Sequence, residues 1–397
     1  MAYLRWRTTA EGPIGADFEH YLAAARDVAA GRSPYLVQQY VYPPTLAFLL
    51  SPVSHASAET VWRIWTAVVV GAPFVGISAF VSLIKGRTSW WLRPTAFAMC
   101  GVTIFDSHYY PLARDLGLGQ SDTILFSVIA VSAVAASKGA SRLRGGMIGL
   151  AGLIKTWPWA TALSVLQPGV KDRGRTLVAA LVVVLVAPAT ALLFGWSGLV
   201  GFFTNDVHAR QQHLVSDSVW GIPPLVFSHS GLARPIAIST PLCLLLTVAL
   251  AAWVISLLAL AVRTASDGAL GTWNITFCII LLLPVSHRQY ALCILPVLWW
   301  WVVYSVTTRT RDWRILAVSG LLVVWWIDQT VAWPYNGMSH SIAALRYSVP
   351  FVGDLIACTV SVVAARLIDT TVDNLDRSTI AGEPPDHDGC SARPGSS

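Results

Sequence analysis

Four short stretches of this chain place ionisable side chains among apolar neighbours. They are GADFEHYLAAARD at 15–27, PLARDLGLGQSDTI at 111–124, GLIKTWPW at 152–159 and SHRQY at 286–290. A carboxylate such as Asp17 can take the proton of an attacking hydroxyl. Cations supplied by separate segments (Lys155, Arg288, Arg114) can stabilise charge growing on a phosphate leaving group. Polar groups are costly near hydrocarbon and face a protein-lined cavity or one another. Each has a plainer reading as well. Asp17 sits near a helix start, where a solvated carboxylate favours the helix dipole. Arg114 can pair with Asp115 or Asp122, and Arg288 can sit at an interface against lipid headgroups. No metal centre is expected: the six cysteines form no C-x-x-C pair, and His208 and His213 lie five apart, off one helical face. Walker, zinc-protease and nucleophile-elbow motifs are missing from the sequence, and no other cofactor is implied.

The elements that must carry these groups are membrane helices. Of 397 residues 55% are hydrophobic and 12% charged, against roughly 25% charged in a soluble domain. Apolar runs of about 18 residues or more recur and are long enough to span hydrocarbon. Nine crossings are expected, at about 62–84, 94–110, 120–137, 176–195, 236–262, 270–286, 289–306, 314–332 and 347–367. Three of the four lysines (Lys85, Lys138, Lys171) lie in short polar loops, as cytoplasmic loops require. The net charge of +6 therefore reads as topology, and a nucleic-acid partner is excluded.

Basic loops at 138–144 and 169–175 flank the apolar stretch 145–168. Both can face the cytoplasm only if that stretch enters and returns. The expectation is two half-helices with Lys155-Thr156-Trp157-Pro158 at a polar apex, tolerated where they line a cavity. A single kinked span with a snorkelling lysine is the alternative. With the hairpin, residues 1–61 form a first outer loop bearing an amphipathic interfacial helix, 62–367 the transmembrane domain, and 368–397 a disordered cytoplasmic tail. Eight of nine histidines then fall near the outer face, together with Asn205, Asp206, Arg210 and Asp217 of the longest outer loop.

At these residues the chain resembles glycosyltransferase family 87, the polyprenol-phosphate-sugar-dependent enzymes of actinobacteria. DFEHYLAAARDVAAGRSPY followed by YVYPPTLAFLLSPV resembles the family's opening, GLGQSDTILF its G-Q-x-N segment, GLAGLIKTWPW its hairpin and PVSHRQYALCILP its late histidine loop. The resemblance implies a GT-C membrane fold with an extracytoplasmic active site in the plasma membrane. It also implies transfer of mannose or arabinofuranose from a polyprenyl-phosphate donor to a cell-envelope glycolipid or polysaccharide. Asp17 matches the family's base, Lys155 its hairpin lysine near the donor phosphate, and His287 a histidine of the mannosyltransferase branch. Arg288 and Arg114 would add cations there, and Glu19, Tyr42, Gln120, Asp122 and Trp157 would line the donor and acceptor. The chain departs from the pattern in Ser121-Asp122, where asparagine is usual after one residue, and in SDSVWG at 216–221. A lipid-linked-sugar flippase or an inactive accessory subunit are the competing functions, although no internal repeat of spans favours a transporter. Counting crossings, the expectation is either a further apolar helix upstream of Met1 or a chain that has lost its first helix.

Overall fold

The structure is a computed structural model describing residues 15–37, 39–85, 89–106, 108–212, 216–228, 235–264, 268–307, 312–330 and 340–381. At 89, 205–212, 340–347 and 370–381 only the backbone is described. Readings that fall on residues 1–14, on Arg87, Arg309, Arg311, His213 and His229, on the side chains of Asn205, Asp206, His208, Arg210 and His340, or on the tail beyond 381 lie outside it.

Among the described residues there are helices and no strands. An interfacial pair, α1 (Ala16–Ala29) and α2 (Pro44–Leu50), precedes α3 (Ala58–Val81), α4 (Ser89–Phe105), the short α5 (Tyr110–Leu118), α6 (Asp122–Ser137) and α7 (Ser141–Ile154). A 3-10 run over Trp157–Leu166 leads into α8 (Arg173–Val184), α9 (Val186–Leu192), α10 (Gly195–Gln212) and α11 (Ile222–Phe227). Next come α12 (Thr240–Arg263), α13 (Gly268–Leu282), a second 3-10 run (Arg288–Ile294), α14 (Leu295–Thr307), α15 (Trp313–Thr330) and α16 (His340–Ala381).

A helix runs through each stretch read as a crossing. Among the described residues, five segments are both long and apolar enough to traverse hydrocarbon: Ala58–Val81, Arg173–Leu192, Thr240–Arg263, Arg288–Thr307 and Ser348–Asp369. Asp122–Ser137 and Gly268–Leu282 are apolar but shorter. Leu244, Leu245, Val248, Trp253 and Ile255 of α12 and Val178, Leu181 and Val182 of α8 are exposed, an arrangement stable only against lipid. The chain is an all-α polytopic membrane protein.

The segment from 145 to 168 turns back on itself, and the packing requires it. Gly145 of α7 lies against the Thr176 carbonyl of α8, and Gly149 against Ala180 and Val183. Residue numbers rise together along both helices, so α7 and α8 run parallel. Two consecutive parallel helices need a returning connection, here the 3-10 run. Arg144 Nη2 donates to Ser164 Oγ at 2.8 Å, closing the base of this hairpin. Small residues permit the close α7–α8 approach, as at other membrane helix contacts. The return arm is 3-10 rather than α-helical. Pro158 removes an amide donor near its start, and Trp159 fills the space over Gly152.

Contacts sort the loops into two ends. Lys138 Nζ donates to Ser82 Oγ at 3.1 Å, the Ala269 amide to Ser137 Oγ at 2.9 Å, and Gln167 Nε2 to the Ala261 carbonyl at 3.2 Å. The chain near Ser82, Ser137, Gln167 and Ala261, where four of the basic loops begin, thus gathers at one end of the bundle. Between the ends lies an aromatic core: Phe80 and Phe126 pack on Trp299, with ring centroids 5.5 and 5.7 Å away. Two of the buried indoles there find acceptors, Trp299 on Thr103 Oγ1 and Trp301 on Ser361 Oγ, both at 2.9 Å.

Candidate active site

At the opposite end, α1 delivers Asp17. Its buried residues Phe18, Tyr21, Leu22, Ala25 and Val28 recur at helical spacing. Asp17 and Glu19 occupy its first turn, favourable to the dipole. Gly31, at φ 71°, takes the chain out of the helix. The face carrying Phe18 and Tyr21 packs on Trp62 and Trp65 of α3.

The turn between α5 and α6 delivers Gln120 and Asp122. Gly119 adopts φ 73° and has Phe18 and Trp62 directly over it, so no side chain fits. Gly15 presses against the backbone of Leu118 and Gly119 equally closely. Trp65 Nε1 donates to the Gly119 carbonyl at 2.9 Å. Two glycines therefore clamp the start of α1 onto the turn, setting Asp17 beside Gln120. Asp115 stabilises the same turn from below, accepting the Asp122 amide at 3.0 Å and the Thr123 amide at 3.4 Å. That is the capping role the first turn of α6 needs.

Lys155 ends α7 in extended conformation, φ −138° and ψ 149°. Its buried ammonium donates to Asp122 Oδ1 at 2.7 Å and to Gln120 Oε1 at 2.8 Å. It also lies 4.8 Å from the ring centre of Tyr290 and 5.8 Å from that of Tyr42. Gln120 Oε1 accepts further from Tyr42 Oη at 3.2 Å and Tyr21 Oη at 3.5 Å. Three donors on one amide oxygen fix the flip of that amide, and its NH2 group therefore donates to Asp17 Oδ2. The result is a continuous chain, Asp122–Lys155–Gln120–Asp17. Burial raises the Asp17 pKa above the ordinary carboxylate value, opposed by the Gln120 hydrogen bond and by Lys155, His20 and Arg114.

Not every expected residue joins this chain. Trp157 packs against Tyr290 in a tilted arrangement at 5.5 Å, and His287 meets the same ring at 5.9 Å. Asp122 takes its ion pair from Lys155. Arg114 remains in electrostatic reach of Asp17. Glu19 is exposed. Arg288 belongs to a neighbouring cluster, its guanidinium 4.8 Å over the Tyr110 ring and in reach of Asp217, Asp328 and Asp354. Sequence reasoning missed Tyr21, Tyr290, Asp328 and Asp354. The last two lie inside apolar runs, where an acidic residue was itself a signal.

A membrane-embedded all-α bundle with a buried polar chain at one end is an integral membrane protein organised around an internal site. It belongs to glycosyltransferase family 87, whose family model matches residues 40–286. The chain is accordingly a membrane glycosyltransferase, with a sugar donor and an acceptor as substrates. Gln120, Asp122, Lys155 and Trp157 fall within the matched segment; Asp17, His287 and Arg288 fall outside it. No curated protein matches the chain.

Proposed function

We propose that the chain transfers mannose or arabinofuranose, with inversion, from a polyprenyl-phosphate sugar to a cell-envelope glycolipid or polysaccharide at the outer face of the plasma membrane. The observation that carries this reading is the Asp122–Lys155–Gln120–Asp17 chain, which holds a half-buried carboxylate by one oxygen. The other oxygen is left for an acceptor hydroxyl. Asp17 takes that hydroxyl's proton as the oxygen attacks the anomeric carbon, and the bond from that carbon to the phosphate oxygen breaks. A carboxylate pKa raised by burial suits a base working near neutrality. The departing phosphate draws on the positive charge of Lys155 and Arg114, the basic side chains that act on Asp17 alongside His20. Tyr42, Tyr290 and Trp157 surround the ammonium with aromatic surface, which excludes water and strengthens those charges.

The two ends of the bundle differ in charge as this orientation demands. Basic loops gather opposite the site, and such loops stay cytoplasmic. The experiment is direct: membranes containing the protein are supplied with radiolabelled polyprenyl-phosphate mannose or arabinofuranose. Label appearing in glycolipid or glycan is the expected result. Label that crosses the bilayer but stays on its polyprenyl carrier would instead establish a flippase.

A further inference from the structure

The cluster around Arg288 is not used by the reaction above, and its chemistry is unusual. Arg288 is 8% exposed, yet Nε, Nη1 and Nη2 all lack a hydrogen-bond partner among the described residues. Three carboxylates, Asp217, Asp328 and Asp354, lie in its electrostatic reach. Tyr110 fixes the plane of the guanidinium from one face. Asp354 is occupied, receiving Trp325 Nε1 at 2.6 Å and Gln329 Nε2 at 3.4 Å. Asp328 Oδ2, Gln329 Oε1 and Tyr109 Oη, by contrast, are buried and have no hydrogen-bond partner among the described residues. Tyr109 is tied to the group through its proximity to Asp354 and Arg288.

A buried donor or acceptor left without a partner is costly, so a cluster that keeps donors and acceptors open together is shaped for an occupant. A phosphate offers only acceptors. It would satisfy Arg288, leave the Asp328 and Gln329 oxygens unmet, and sit among carboxylates that repel it. A sugar hydroxyl both donates and accepts. Vicinal hydroxyls can take the guanidinium N–H groups and return their protons to Asp328 and Gln329. We infer that the Arg288–Asp328–Gln329 cluster is a carbohydrate-hydroxyl subsite that binds an uncharged sugar ring. This rests on the glycosyltransferase reading and moves Arg288 from the phosphate to the sugar. The ring is either the donor's or the acceptor's, which the arms below separate.

The test uses the full chain in nanodiscs and follows its tryptophan fluorescence, Trp325 being part of the cluster. Probes are a short-chain polyprenyl monophosphate, the same lipid carrying mannose or arabinofuranose, and octyl mannoside or arabinofuranoside as acceptor analogue. Arg288→Gln and the isosteric Asp328→Asn should each weaken binding of a sugar-bearing probe about tenfold while leaving the bare monophosphate unchanged. A loss confined to the glycosylated lipid assigns the donor sugar; a loss confined to the octyl glycoside assigns the acceptor. Asp328→Asn keeps the test decisive if Arg288→Gln does not fold. The inference is overturned if Arg288→Gln lowers monophosphate and sugar affinity equally with Asp328→Asn neutral. It also fails if neither variant changes any affinity, or if the wild-type chain binds no sugar probe. A wild-type chain that binds sugar without transferring it would instead sink the proposed activity and leave the subsite standing.

Discussion

Lys155 and Asp122, 33 positions apart in sequence, meet at 2.7 Å with both side chains almost wholly buried. Removing one partner of such a pair leaves an uncompensated charge, at a typical cost of about 3–5 kcal/mol. Lys155→Met should therefore lower the melting temperature sharply. Lys155→Met combined with Asp122→Leu should recover much of the loss and still show no transfer. Thermal unfolding in detergent, run as a double-mutant cycle, reads the coupling. Additive losses would mean that the pair does not act as a unit.

Asp17→Asn keeps the shape of the side chain and can still contact Gln120, but cannot accept a proton. Transfer should fall by about 10²–10⁴-fold, the usual contribution of a positioned base. Donor affinity should stay close to that of the wild type. Full activity in this variant would end the base assignment.

The pH dependence follows from the same carboxylate. The Asp17 pKa is raised in the folded chain, so the folded state holds its proton more tightly than the unfolded state does. The stability this lends is complete below the unfolded pKa and is lost as pH rises through the folded pKa. Activity runs the opposite way, rising with pH as the base ionises. Asp17→Asn should thus be at least as heat-stable as wild type at neutral pH, and its residual rate should lack the acid limb. A pH–rate profile and a melting series at several pH values check both. Asp217, also outside the spans, is pushed up to about 6 by burial, against the pull of Arg288.

Gly119→Ala should be costly beyond its size. The position needs positive φ, and Phe18 and Trp62 occupy the space a methyl group requires. The clamp between α1 and the Gln120 turn would open, separating Gln120 from Asp17. Expected outcomes are a loss of about 1–3 kcal/mol from backbone strain and a fall in kcat larger than the change in KM. Gly31→Ala is the matched control: its φ is equally positive but nothing lies near, so activity should survive.

The all-α membrane architecture was legible because apolar length is a nearly sufficient signal for a spanning helix. The polar apex was legible too, since Lys155 stands alone between two apolar half-stretches flanked by basic loops. How the polar residues divide was not. Spacing shows that Arg288 and Lys155 are both cations between apolar runs, but not that one is paired with a carboxylate and the other has no hydrogen-bond partner among the described residues. That depends on Asp122 reaching Lys155 from a different helix, and on Asp328 and Asp354 arriving from α15 and α16. Tyr21 and Tyr290, which set the flip of Gln120 and cradle Lys155, read in sequence as ordinary aromatic core.

The hairpin that carries Lys155 is rooted at the far end of the bundle, where Arg144 meets Ser164 and the basic loops gather. The ammonium that holds Gln120 against Asp17 is therefore carried on a strut rooted at the opposite end of the bundle. A change at the root, such as Ser164→Leu or a lipid headgroup engaging Arg144, would tilt the strut and shift its tip. One end of the bundle is in this way mechanically answerable to the other.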